Sequence, residues 1–402
     1  MKQKEKIIKK VNNQVKGITL IALVVTIVVL LILSAVAIGL SVGDNGIITS
    51  ARNATASWEQ GVENEQDGLK QIANFINSNG NTSEENNIKI ADVKGGERFE
   101  KTETVEDDNG KKVTIPEGFG VAETSNTIVD DGIVITDGIN EFVWVPVDDP
   151  STMFIEETVK LDAVEISTSI YSNLRVRSGQ NNYTSVKPGD TSSIREPDVL
   201  NGYDIDENYY KEMLDFASSQ ELANEFVREY KAMSDSVKKY HGFYIGRYEL
   251  TGTVENPTVK AGDTLNAVNW YNAYKACKNV IKNNENVKST MIYGCQWDEV
   301  CSWLKKKGYD TDTNSASLGN YSGNPIDTGS NNSYKTNEIY DLAGNYVEWT
   351  QEAYGNNYRI VRGGSCYESG SSTPISNRGM ATPYSGGATY NSSTSRVILY
   401  VY

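Results

Sequence analysis

The chain has 402 residues with 53 acidic against 38 basic side chains, a formal net charge of -15, so nucleic-acid binding is not expected without a local basic patch, and none is visible. Histidine occurs once, at His241, which excludes a histidine-rich metal site and leaves one ring for any Ser-His-Asp arrangement. His241 is read as structural, at the entry to the strand-like Phe243-Tyr244-Ile245-Gly246-Arg247-Tyr248. The four cysteines, Cys277, Cys295, Cys301 and Cys366, have no CxxC spacing. Buried free thiols are expected, with a Cys277 to Cys301 bridge as the alternative.

The first sixteen positions carry Lys2, Lys4, Lys6, Lys9, Lys10 and Lys16 against Glu5, and residues 17–42 follow as an uncharged apolar run. As a helix of about 25 residues the run spans roughly 37 Å, enough for a bilayer core of about 30 Å. The basic leader then belongs on the cytoplasmic side, which makes a single-pass membrane protein with its C-terminal part outside. The run is too long for an ordinary secretory signal, so a cut is expected before it. Lys16-Gly17-Ile18-Thr19-Leu20-Ile21 resembles the type IV prepilin signal. That resemblance implies a prepilin peptidase cutting between Gly17 and Ile18, which would take the formal charge from -15 to -20. It also implies other pilins as partners. Ala22 stands where pilins usually carry a glutamate, which fits a minor or tip subunit, or a plain anchor, better than a polymerising one.

Ala51, Ala54, Trp58, Val62, Leu69, Ile72 and Ile76 continue at helical spacing, so 18–76 is predicted as a transmembrane and pilin-like helix interrupted at Asn45-Gly46. Residues 77–87 have linker composition. From 88 to 141 short strands with turn signals predict a strand-rich neck, including Val113-Thr114-Ile115 and Ile133-Val134-Ile135, and Phe142-Val143-Trp144-Val145-Pro146-Val147 follows. Residues 151–240 are read as an insertion, polar at first and then a long amphipathic helix over 208–239. A further helix is predicted over 269–281.

Asp341-Leu342-Ala343-Gly344-Asn345-Tyr346-Val347-Glu348-Trp349-Thr350 and Arg359-Ile360-Val361-Arg362-Gly363-Gly364-Ser365 resemble the formylglycine-generating, or sulfatase-modifying, factor family. Other pieces follow in family order: Phe142 to Pro146, Gly242 to Glu249, Ala267 to Trp270, Tyr293 to Asp298, and Ser395 to Leu399. The resemblance covers 142–402 and implies a variant of the C-type lectin fold. The expected class is α+β, an N-terminal transmembrane, pilin-like helix followed by a C-type lectin-like head.

Two carboxylates bracketing a glycine-containing turn suit calcium, which takes six to eight hard oxygens. The resemblance implies calcium on the side chains of Asp341 and Glu348 and the carbonyls of Gly344 and Tyr346. Trp270, Trp297 and Trp349 are assigned to the core. The family's oxidase activity needs two cysteines after the Arg-Gly-Gly-Ser turn, to hold copper. Only Cys366 follows that turn, out of register, so no enzyme activity is expected.

From Cys366 to Ser395 the chain is dominated by Ser, Thr, Gly, Tyr and Asn. Tyrosine gives contact area at small entropic cost, and small polar residues give hydrogen bonds, so Tyr367, Tyr384, Tyr390 and Asn391 are the candidate ligand contacts. The segment resembles the variable regions of lectin-fold proteins diversified by retroelements. An irregular polar loop set is the alternative. The reading is a surface-displayed, adhesin-like binding protein for a surface protein or glycan, with a minor pilin as its rival and a diverged formylglycine-generating oxidase as the remote third.

Overall fold

The structure, a computed structural model, describes residues 88–161, 164–171, 194–195, 219–354, 358–383 and 392–402, together with Val29, Lys211 and Leu214. Gly17, Ile18, the apolar run apart from Val29, the pilin-like helix and the linker lie outside the described residues, as do Tyr384, Tyr390 and Asn391. Among the described residues no helix is long and apolar enough to cross a membrane.

Strands β1 (Ile88–Lys89), β2 (Glu103–Glu106) and β3 (Lys112–Ile115) form a small sheet, parallel between β1 and β2 and antiparallel between β2 and β3. After β4 (Gly120–Val121), β5 (Val134–Thr136) and β6 (Glu141–Pro146) comes a long antiparallel hairpin of β7 (Phe154–Leu161) and β8 (Val164–Tyr171), then β9 (Ile194–Arg195). Helix α1 (Ser219–Tyr240) carries Leu222, Phe226, Tyr230, Met233 and Val237 as one buried stripe at helical spacing. It ends where His241 adopts a left-handed φ of 56° and donates its N–H to the Val237 carbonyl, a helix-stopping cap. The single histidine therefore has a structural task.

Next come β10 (Gly242–Gly246), the short pair β11 (Thr251–Gly252) and β12 (Pro257–Thr258), helix α2 (Trp270–Asn279), β13 (Val287–Met291) and helix α3 (Gly294–Lys306). Asn269 caps α2 by accepting from the Asn272 N–H at 2.9 Å. Cys295 and Cys301 lie within α3, and all four cysteines are buried free thiols. The chain closes with the pair β14 (Lys335–Thr336) and β15 (Ile339–Tyr340), then β16 (Val347–Tyr354), β17 (Tyr358–Arg362), β18 (Gly379–Ala381), β19 (Ser393–Ser395) and β20 (Val397–Val401).

Two larger sheets organise these strands. One is antiparallel in the order β13-β20-β10-β6-β5-β4, and the other runs β18-β17-β16-β19, with β9 also pairing β16. Every residue of β20 is buried, as a continuous apolar run flanked by two partners should be. The alternation of side chains divides the core. Phe142, Trp144, Tyr244, Val397 and Leu399 face one apolar cluster with α2, while Val143, Val145, Phe243, Ile245 and Ile398 face a second with α3. Trp270, Trp297 and Trp349 are fully buried.

The expected boundary between a neck and a head at 141/142 does not hold. Residues 134–136 pair with β6 and carry β4 into the same sheet, and Ile90, Val105 and Val113 join the core with Trp144. Asn86–Tyr402 is therefore one compact unit. Likewise α1 packs against β10 and β20, so the 151–240 insertion contributes core, not only surface.

Candidate functional site

Two buried charged clusters underlie the motifs singled out in the sequence. The first lies under the turn from Asp341 to Glu348. Asp341 and Asn345 both hold left-handed φ values, 54° and 57°, a conformation that Asp and Asn tolerate better than most residues. Gly344 (φ +68°) sits so close to the chain opposite that a Cβ would come within 2.2 Å of the Asn320 carbonyl oxygen. Asn345 donates to Glu249 at 2.8 Å and to the Ile326 carbonyl at 3.1 Å, and it accepts from Asn320 and the Ile326 N–H. Glu249 also accepts from Thr264 Oγ1 at 3.0 Å and the Tyr346 N–H at 3.3 Å. Burial, then the charges of Asp341 and Glu348, push its carboxyl well above the ordinary range.

Glu348 faces Arg396, whose Nε lies 2.8 Å from Oε2 and whose Nη2 lies 2.5 Å from Oε1. The remaining guanidinium donors reach the carbonyls of Gly246 and Tyr340, each at 3.0 Å. Asp341 accepts from the Gly329 N–H at 2.8 Å and Thr328 Oγ1 at 3.1 Å through Oδ2, while its buried Oδ1 has no partner. Burial raises its carboxyl above the usual value.

This arrangement does not fit the calcium set that the family resemblance implies. A metal ion on Glu348 would meet the guanidinium already bound there, in a low-dielectric interior where like charges repel strongly. Among the described residues no group of three or more His, Cys, Asp and Glu side chains is placed to hold a metal ion.

The second cluster is a closed ring of four buried side chains. Arg362 reaches Asp298 Oδ1 at 2.7 Å and Glu352 Oε2 at 2.8 Å, and Arg378 reaches Asp298 Oδ2 at 2.5 Å and Glu352 Oε1 at 2.8 Å. None is more than 4% exposed. Burial pushes the Glu352 carboxyl up, but Arg362 and Arg378 more than offset this and hold it below the ordinary carboxylate range. Two positive and two negative charges balance, and their mutual attraction at short range offsets part of the desolvation cost of burying them.

Arg362 and Arg378 bracket the segment 363–377, so the ring clasps both its ends. Further ties come from beneath. Tyr321 donates toward the carbonyls of Gly363 and Thr373, at 3.2 and 3.0 Å. The Ser315 N–H meets Gly370 O, and the Gly323 N–H meets Cys366 O. Gly364 is required by its φ of +74° and by the Thr373 carbonyl, 2.4 Å from where a Cβ would stand. Above this base Tyr367, Glu368, Ser369, Ser371 and Ser372 are exposed. Tyr367 (43%) is one of six large hydrophobic side chains exposed among the described residues, as are Tyr358 on β17 (41%) and Met380 on β18 (48%). Of the four predicted ligand contacts, Tyr367 is therefore placed on the surface, and the other three lie outside the described residues. Cys366 is buried, and burial pushes its thiol up to about 11.

Sequence reasoning passed over Glu249, Asn345, Asp298 and Arg378. The only signal available was the residue type itself, an acid or arginine set among tryptophans and small residues. Neither pairing nor burial can be read from positions 80 residues apart.

No family model matches the chain, and no curated protein matches it. Among solved structures, PvdO from Pseudomonas aeruginosa is similar at 13% identity over 40% of this chain and 82% of its own, with a TM-score of 0.29. Treponema denticola variable protein 1 is similar at 14% identity over 66% of this chain and 97% of its own, with a TM-score of 0.25. Likeness of this degree fixes neither the function nor the details of the fold.

Proposed function

We propose that the chain is a surface-displayed binding protein, anchored in the membrane through 18–42 or carried on a pilus, whose recognition face is built on residues 365–395. The observation that carries this reading is the clasp formed by Asp298, Glu352, Arg362 and Arg378. It holds both ends of an exposed, hydroxyl-rich segment on a rigid and fully paired base. Binding residues sit characteristically on loops positioned by such scaffolds. The exposed side chains take no part in the clasp, which suits a face adapted to many ligands. The ligand class is a protein or glycan of another surface, and the acidic chain disfavours nucleic acid. The buried thiols, with Cys277 and Cys301 pushed up to about 12, favour binding over thiol chemistry.

The test is binding of the full chain to arrays of surface glycans and surface proteins, repeated with Tyr367→Ala, Tyr384→Ala and Tyr390→Ala combined. A five- to 150-fold loss of affinity, about 1 to 3 kcal/mol, with an unchanged melting temperature supports the face. A large fall in melting temperature, or unchanged affinity, removes it. A second reading, a minor pilin that primes filament assembly, is favoured by Ala22 in place of the pilin glutamate. It predicts loss of filaments on deletion of the protein with surface binding intact.

A further inference from the structure

We propose that Arg396 is a built-in cation that takes the place of a structural metal ion in the turn from Asp341 to Glu348, so that the head folds independently of calcium. The guanidinium does what an ion would do there. It is fully buried, it neutralises Glu348 through Nε and Nη2, and Nη1 and Nη2 also bind main-chain oxygens. Those oxygens belong to Gly246 at the end of β10 and Tyr340 in β15, while Arg396 itself links β19 to β20 and Glu348 lies in β16. One side chain thus joins carboxylate and carbonyl oxygens from three separate parts of the chain, with five N–H donors in a fixed plane. Four contacts at 2.5 to 3.0 Å engage all three guanidinium nitrogens.

The proposal is independent of the ligand-binding reading, because it concerns what closes the turn and not what the exposed segment recognises. Its test is thermal unfolding of the full chain in mild detergent, followed by near-ultraviolet circular dichroism, in excess calcium and in chelator. A structural calcium at a hundredfold excess over its dissociation constant would raise the melting temperature by roughly 5 to 10 °C. The expected difference is below about 2 °C, within the scatter of such melts. Arg396→Ala leaves Glu348 buried without its partner and opens a space lined by oxygens. Its melting temperature should fall by more than about 5 °C, and millimolar calcium should restore part of the loss. The paired change Glu348→Gln with Arg396→Met removes both charges and should fold whether or not Arg396→Ala does, with no response to calcium. A calcium-dependent rise in the unmodified protein, a melting temperature of Arg396→Ala equal to the parent's, or a calcium response in the double variant would each overturn the proposal.

Discussion

Arg378→Met tests whether the ring beneath the exposed segment is a structural clasp. The substitution keeps much of the side-chain volume but deletes one of two guanidinium groups, so Asp298 and Glu352 are left to share Arg362 in a fully buried site. Removing one member of a buried ion pair costs about 3 to 5 kcal/mol. Arg362 retains contacts of 2.7 and 2.8 Å to both acids, so the lower end, about 3 kcal/mol, is expected here. At roughly 2 °C per kcal/mol for a large domain, the melting temperature should drop by about 6 °C. A companion, Asp298→Asn combined with Arg378→Met, restores charge balance by leaving Arg362 and Glu352 one to one. Its loss should be smaller than the sum of the two single losses by about 0.5 to 3 kcal/mol. Urea and thermal melts of the four proteins close the cycle. If Arg378→Met lies within about 0.5 kcal/mol of the parent, or if the two losses simply add, the ring does not hold the segment and the reasoning fails.

Glu352 supplies a pH test. Its folded pKa is depressed, so its contribution to stability is complete above the ordinary value of 4.5 and is lost as pH falls through the lower folded value. Glu352→Gln should therefore flatten the fall in melting temperature below about pH 4.5, and parallel profiles would count against the pairing. Substitutions confined to Glu368, Ser369, Ser371 and Ser372 should each change stability by less than about 0.5 kcal/mol, checked by urea midpoints; a larger loss would mean that the exposed segment carries fold. Sequencing of the native protein should return Ile18 as its first residue, whereas Met1, or a residue beyond Val42, would remove the prepilin reading.

Much of the fold could be read from the sequence because its signals are local. The apolar runs of Phe142 to Val147 and of β20, and the stripe from Leu222 to Val237, are each visible within a dozen or so residues. The tryptophans could be assigned to the core on size alone. What escaped the sequence depends on pairing at long range. The neck seemed separable because nothing in Val134-Ile135-Thr136 says that it will hydrogen-bond to β6 rather than to its own neighbours. The family resemblance assigns Glu348 to calcium, whereas its partner Arg396 stands 48 residues away in the sequence. Asp298 and Arg378, separated by 80 residues, carry no mutual signal until the chain has folded. The exposure of Tyr367 was legible, since a tyrosine set among serines and glycines has no apolar neighbours to bury it.

The placement of β20 between β10 and β13 has a consequence for biosynthesis. The largest sheet cannot close until the ribosome has passed the exposed segment and released the strand encoded after it. A frameshift or premature stop anywhere in 363–391 leaves two inner strand edges unpaired and deletes Arg396 with them. Such a product exposes the apolar faces of β10 and β13 to proteases and chaperones. Completion of the largest sheet thus depends on the reading frame being kept through the whole segment that precedes β19.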